Sequence, residues 1–224
     1  AISNAVPVLP VHDDDGNMTS TGDGWHYAWN GENRLVLASN ATHVASYAYD
    51  YQGRMVWKKI SRGGADAQSW EEKKTTSYLW DDFNIIAETS EETETTNTTY
   101  NVWGINIDGT MRGAGGVGGL LAVVKDNAMS YFPCYDGNGS ITEYVLENGY
   151  TVAHREYDPF GGTIEASGAA NDLTHWFSTK PWCSITALSE YQYRMYRPVL
   201  GRWLNRDPIE ESGGLMLYAF ANNH

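Results

Sequence analysis

Near residue 207 of this 224-residue sequence, Asp207 stands between Arg206 and Pro208. A carboxylate beside a guanidinium stays ionised, and two neighbouring carboxyls can share a proton as an acid–base pair. Arg206 is thus placed to hold the Asp207 carboxylate ionised. An Asp ahead of a proline also suits a plain turn cap. Gly113-Ala114-Gly115-Gly116-Val117-Gly118 fits the spacing of a phosphate-cradling loop, and Asp136 follows. A dinucleotide site needs a helix after the glycines. Here Leu120-Leu121-Ala122-Val123-Val124 is short, and Tyr131-Phe132-Pro133 forbids a helix, so close passage of the backbone past another layer is expected instead. Asp13-Asp14-Asp15-Gly16-Asn17 has calcium-like acids but lacks the closing chelating Glu, so it reads as a turn. The six histidines are scattered without H-E-x-x-H, and G-x-S-x-G is absent. No carboxylate spacing singles out a glycosidase pair. Cys134 and Cys183 are too few for a disulfide scaffold or a cysteine-only zinc site. They read as buried thiols, with a disulfide left open. No cofactor and no metal is expected.

These residues need elements to hold them, and composition indicates which. Apolar residues make up 42% and charged residues 19%, a globular balance. Nine Trp, 15 Tyr and 23 Gly favour strands joined by tight turns. No long window carries apolar residues at helical spacing. The longest aliphatic run, Leu120 to Val124, is far short of the ~20 residues of a membrane helix. Net charge is −13, which repels phosphate backbones and argues against general nucleic-acid binding. The sequence opens Ala1-Ile2-Ser3-Asn4 without Met or leader and reads as part of a longer protein.

The chain also repeats itself. Tyr27-Ala28-Trp29-Asn30 through Arg34-Leu35 parallels Tyr47-Ala48-Tyr49-Asp50 through Arg54-Met55. Weaker copies are Tyr78-Leu79-Trp80-Asp81, Tyr135-Asp136-Gly137-Asn138-Gly139 and Tyr157-Asp158-Pro159-Phe160-Gly161, with Asp15-Gly16-Asn17-Met18 as the turn of an earlier one. Alternating rings share one strand face, the Asp or Asn caps the turn, and the Arg stem can cover a ring. A lone hairpin cannot bury its face, so the copies must stack. Ser61–Thr76 and Glu88–Thr99 are polar and read as exposed hairpin loops.

Tyr191-Gln192-Tyr193-Arg194-Met195-Tyr196-Arg197-Pro198-Val199-Leu200-Gly201-Arg202-Trp203-Leu204-Asn205-Arg206-Asp207-Pro208-Ile209, followed by Gly213-Gly214-Leu215-Met216-Leu217-Tyr218, resembles the core signature of RHS-repeat (YD-repeat) proteins. The motif positions are Tyr193, Arg194, Tyr196, Pro198, Gly201, Arg202, Trp203, Asp207, Pro208, Gly213, Gly214 and Tyr218. With the upstream copies, the resemblance covers most of Asp15 to Asn223. It implies an all-β fold: stacked antiparallel hairpins of a YD-repeat shell or spiral with a C-terminal core plug. The implied organisation is YD-type repeats over 1–60, repeats with two polar insertion loops (61–76 and 88–99) over 61–112, a Gly-rich strand and further repeats over 113–185, and the core over 186–224.

The implied role is non-enzymatic: part of a shell that encloses and presents a C-terminal toxin or effector payload, secreted or at the cell surface within a larger bacterial protein. The implied partners are that payload and the rest of the shell, with self-association through open sheet edges. Many relatives cleave their own chain with two aspartates in D-P-x-G motifs about twenty residues apart. Asp207 matches the first, but Glu210 replaces its Gly, and the second would fall near residue 229. A lone Asp207 has no proton-sharing partner, so no self-cleavage is expected of this sequence as written; the second reading the resemblance implies is an aspartyl autoprotease core, with Asp207 and Arg206 catalytic, that releases the payload when the chain extends past residue 224. A third reading is an adhesion module whose exposed rings stack on glycans or a cell-surface partner.

Overall fold

The computed structural model describes residues 9–63, 70–126 and 129–220. Among the described residues, fourteen strands form one antiparallel meander in sequence order. They are β1 (Val11–His12), β2 (Met18–Ser20), β3 (His26–Trp29), β4 (Leu35–Ser39), β5 (His43–Tyr49), β6 (Met55–Gly63) and β7 (Trp70–Asp81). Then come β8 (Asn84–Glu92), β9 (Thr95–Trp103), β10 (Leu120–Lys125), β11 (Ser130–Tyr135), β12 (Ile141–Val145), β13 (Thr151–Tyr157) and β14 (Thr163–Gly168). A second antiparallel sheet holds β15 (Trp182–Cys183), β16 (Leu188–Glu190), β17 (Met195–Arg197) and β18 (Arg202–Trp203). The fold is the expected all-β stack of hairpins. We call the large sheet the wall and the segment from residue 170 onward the plug.

Among the described residues of the wall, one turn recurs seven times. The residue that opens it donates its N–H to the carbonyl four positions on and accepts from the N–H three positions on. The openers are Asp13, Asn30, Asp50, Asn106, Asp136, Leu146 and Asp158. The fourth residue takes left-handed backbone, from φ 57° at Asn33 to 81° at Gly16 and Gly149. This is a type I turn closed by a bulge, which keeps the twist of the flanking strands. The opener's side chain caps the turn: Asp50 Oδ1 accepts from the N–H of Gln52 and of Arg54, both at 2.9 Å. Asp136 and Asp158 do the same.

Neighbouring hairpins are joined by a second device. At six strand ends, a ring donates to the backbone carbonyl that opens the inner strand of the preceding hairpin. The series is Trp29 to Met18 (2.8 Å), Tyr49 to Leu35 (2.8 Å), Trp80 to Met55 (2.7 Å), Trp103 to Ile85 (2.8 Å), Tyr135 to Leu120 (2.5 Å) and Tyr157 to Ile141 (2.6 Å). All six acceptor residues are buried. Each clamp satisfies a carbonyl that has lost water, so it fixes the stacking register as well as adding stability.

Three sequence expectations need correction. The two polar stretches are mostly strand: 88–99 forms the ends of β8 and β9, and 61–76 lies largely in β6 and β7, with 64–69 outside the described residues. Threonine's β-branched side chain suits a strand whose faces are both wet, so polarity did not mean loop. The first turn is opened by Asp13, not Asp15: its Oδ1 accepts from Asn17 N–H at 2.8 Å. The Asp81 turn is a tight two-residue hairpin in which Asp81 pairs with Asn84.

The wall must curl. Laid flat, β3 and β13 would lie about 48 Å apart at ~4.8 Å per strand. Yet adjacent plug residues touch both ends. Arg197 Nη1 donates to Tyr27 Oη on β3 at 2.9 Å, and Tyr196 Oη donates to Phe160 O, just past β13, at 2.7 Å. Apolar burial agrees. Met18, Tyr27, Leu35, Tyr47 and Met55 pack with the plug's Cys183, Leu188, Met195 and Leu204. Leu120, Ile141 and Tyr144 pack with Leu173 and Trp176. Among the described residues, no helix is long and apolar enough to cross a membrane.

Candidate functional site: the wall–plug interface

The plug enters the curl as strands whose two faces meet opposite ends of the wall. Met195, Tyr196 and Arg197 on β17 are all buried. Tyr196 stands among Tyr191, Trp203 and Phe220, with ring centroids 6.2, 5.3 and 4.5 Å away. Arg197 also pairs with Asp23. Pro198 begins a single 3₁₀ turn that ends at Gly201, and β18 returns through Arg202 and Trp203. Tyr218 then reaches the first repeat, donating to Gly16 O at 2.7 Å and meeting the His12 ring edge-on. Tyr193 is half exposed and meets Phe83 at 6.1 Å. Gly213 closes a 3₁₀ turn, and Gly214 follows it.

Asp207 lies beside these rings, but its cation is not Arg206. Arg194 Nη1 is 3.0 Å from Asp207 Oδ2, and the Arg194 guanidinium lies 4.1 Å above the Trp203 ring. Asp207 Oδ1 accepts from Ile209 N–H at 3.1 Å, as a turn cap does. Arg206 points away toward Tyr218 Oη at 3.4 Å. Adjacent residues on an extended segment face opposite ways, so sequence neighbourhood misled here. Arg202 is exposed and Pro208 forms part of the outer turn.

The sequence did not single out the charges that join wall and plug. Lys58 Nζ donates to both carboxylate oxygens of Glu190, at 2.7 and 2.8 Å, across 132 residues. Both side chains are buried. The Lys58 ammonium is held well above its usual range by the negative groups around it, against the pull of burial. Burial raises the Glu190 carboxyl above the ordinary glutamate value, with Lys58 opposing. Nearby, Glu88 accepts from Asn101 Nδ2 and Thr174 Oγ1, both at 3.0 Å. His175 Nδ1 lies 3.7 Å from the same carboxylate. Burial lowers its pKa to about 4, so the imidazole is neutral at pH 7 and the contact is not an ion pair. Burial likewise lowers Lys180 to about 8, and its ammonium donates to Gly115 O.

A polar cleft of about 450 Å³ opens between these groups, bounded by Lys58, Lys74, Glu88, Lys125, Asp172 and Thr174. Charges of both signs and several hydroxyls suit it to a hydrated or polypeptide guest rather than an apolar one. One signal pointed to Lys58: it shares strand phase with Ile60 and so sits on the inward face of β6. Glu88 carried no such signal, being set in an apolar-free run.

Of the other motifs, the glycine-rich loop passes close to another layer: a Cβ on Gly139 would meet the Gly118 nitrogen at 3.3 Å. Cys183 is buried but Cys134 only half-buried, and both are free thiols. Among the described residues, no group of three or more His, Cys, Asp or Glu side chains is arranged to hold a metal ion.

Comparison with known proteins agrees with this geometry. The family model described as teneurin YD-shell matches residues 115–224. Salivary gland surface protein 1 of Aedes aegypti is 26% identical over 221 residues, covering 93% of this chain and 6% of that protein. Toxin subunit YenC1 of Yersinia entomophaga is 34% identical over 90 residues, covering 38% of this chain and 9% of that protein. The crystal structure of TcdB2-TccC3 superposes with a TM-score of 0.74 at 21% identity, over 95% of this chain and 10% of that one. The chain thus spans a tenth or less of the length of the relatives it matches. The clamped wall and the plug thus have the fold of an RHS/YD-repeat shell, and residues 115–224 match the YD-shell family itself.

Proposed function

We propose that this chain is a non-enzymatic, structural part of an RHS/YD-repeat shell that encloses and presents a C-terminal toxin or effector payload, in a protein that is secreted or displayed at the cell surface. The observation that carries the reading is the curl itself: one small plug bridges both ends of a long clamped wall through Tyr196, Arg197 and the Lys58–Glu190 pair. Such a wall gains nothing catalytic from its rigidity, but it does gain an interior shielded from solvent. The toxin-subunit and surface-protein names of two relatives support the payload and the extracellular setting. The Asp207 carboxylate, matched by Arg194 and a turn N–H, supports a positioning role rather than proton transfer.

Limited proteolysis of the full-length parent protein tests this. The payload should resist digestion in the wild type and become sensitive when Lys58→Ala unseats the plug. A payload digested equally fast in both would refute enclosure.

A further inference from the structure

We propose that the open edge of β14 is a docking edge for an extended, lysine- or arginine-bearing strand of a partner polypeptide, which adds to the end of the wall. The proposal is independent of the payload reading. Among the described residues, β14 ends the strand order of the large sheet, and β13 is its paired side. All its residues from Thr163 to Gly168 are exposed, while β13 beside it buries Ala153 and Arg155. Ala169 N–H bonds back to Val152 O at 2.8 Å, so the chain leaves for the plug from the paired side.

A row of free backbone donors and acceptors recruits another strand unless it is protected. The two ends of the wall differ in this respect. β1 has only two residues and follows Pro10, which has no N–H to give. β14 reads Thr-Ile-Glu-Ala-Ser-Gly, with neither proline nor lysine to guard it. A bulge at Ile164 is followed by unbroken register from Glu165 to Gly168. Main-chain bonds supply the affinity in strand addition, and alternate side chains supply the selection.

Those side chains define the guest. Glu165 lies directly opposite Glu156, and both are exposed. Like charges so placed destabilise a sheet. Behind them, His154 lies 3.5 Å from Glu156 and 2.9 Å from Glu143, so this face sets three carboxylates around one imidazole. Arg155 brings no relief, being buried on the other face over the Trp176 ring. A cationic side chain on an added strand, opposite Glu165, offsets the repulsion. A second copy does the reverse. Two β14 strands paired antiparallel set their Glu165 side chains opposite or diagonal to each other, each backed by Glu156. The occupant is therefore a basic strand of a different chain.

The test is fluorescence anisotropy on the purified chain with a labelled eight-residue peptide that alternates lysine and valine. It should bind saturably with a Kd of roughly 10–100 μM. The same peptide N-methylated at alternate residues keeps its charge but cannot pair along an edge, and it should bind roughly tenfold more weakly or worse. Glu165→Lys should weaken the unmethylated peptide roughly fivefold or more. Glu91→Lys makes the same charge change at an exposed site on β8 and should leave binding within about twofold. Both variants should keep the wild-type circular dichroism spectrum. The proposal is overturned if the peptide does not bind, if methylation makes no difference, or if the two variants bind it alike. It is also overturned if sedimentation shows the chain alone as a dimer that the lysine peptide dissolves, which would give the edge to a second copy.

Discussion

Two residues show how burial assigns chemistry. His175 sits beside Glu88, yet burial lowers its pKa to about 4 and leaves it neutral. A histidine whose folded pKa lies below its unfolded value of about 6.5 binds its proton more readily when unfolded. Stability must therefore fall as pH drops from about 6.5 toward 4, by up to about 3 kcal/mol for this group. Urea unfolding at pH 7 and pH 4.5 should show that loss, and His175→Phe should flatten the slope by the same amount. An unchanged slope would show that His175 is not buried neutral. Asp207 is separable in the same way. Asp207→Asn keeps the turn bond to Ile209 but weakens the Arg194 pair, at about 1 kcal/mol, whereas Asp207→Ala loses both, at about 2 kcal/mol. Thermal melts that rank the two variants the other way would contradict the cap-and-pair geometry.

At the scale of the hairpin, the clamp is the unit of stacking. Tyr49→Phe should cost about 1–2 kcal/mol, because Leu35 O would then be buried without a donor. His12 holds the equivalent ring position before the first turn, and its Nε2 is buried without a partner. His12→Phe should therefore be neutral or slightly stabilising, and equal losses at the two positions in denaturant unfolding would argue against the clamp. Much of this was legible beforehand. The ring-then-Asp frame marked Asn30, Asp50, Asp136 and Asp158, since a side-chain cap and a left-handed fourth position leave a compositional trace. The turns at Asn106 and Leu146 were missed. Asn106 follows no ring, and Leu146 has no capping side chain, its turn being held by backbone hydrogen bonds and by Asn148 Oδ1, which accepts from Tyr150 N–H. The tight turn at Gly53 shows how far the coupling runs: a Cβ there would fall 1.9 Å from Arg34 Nη1, which donates to Gly53 O from the preceding repeat.

Across the whole molecule, the plug signature was legible from its Tyr, Trp, Gly and Pro spacing, but what it packs against was not. The partners of Glu190 and Arg197 lie 132 and 170 residues upstream, and no local pattern encodes a contact at that distance. The polar strands β8 and β9 misled for a related reason: beyond Ile85, their buried residues are Glu88 and Asn101, which hydrogen-bond each other rather than face an apolar core. The glycine-rich loop was rightly read as a packing device. Wall and plug are accordingly tied by two charged pairs, Arg197–Asp23 and the buried Lys58–Glu190.

A double-mutant cycle on that pair measures this directly. By urea unfolding, Lys58→Met and Glu190→Leu should each cost about 3–5 kcal/mol by stranding a buried charge, and the double variant should recover most of the loss. Simple additivity of the two losses, or single variants as stable as the wild type, would mean that the plug does not hold the wall.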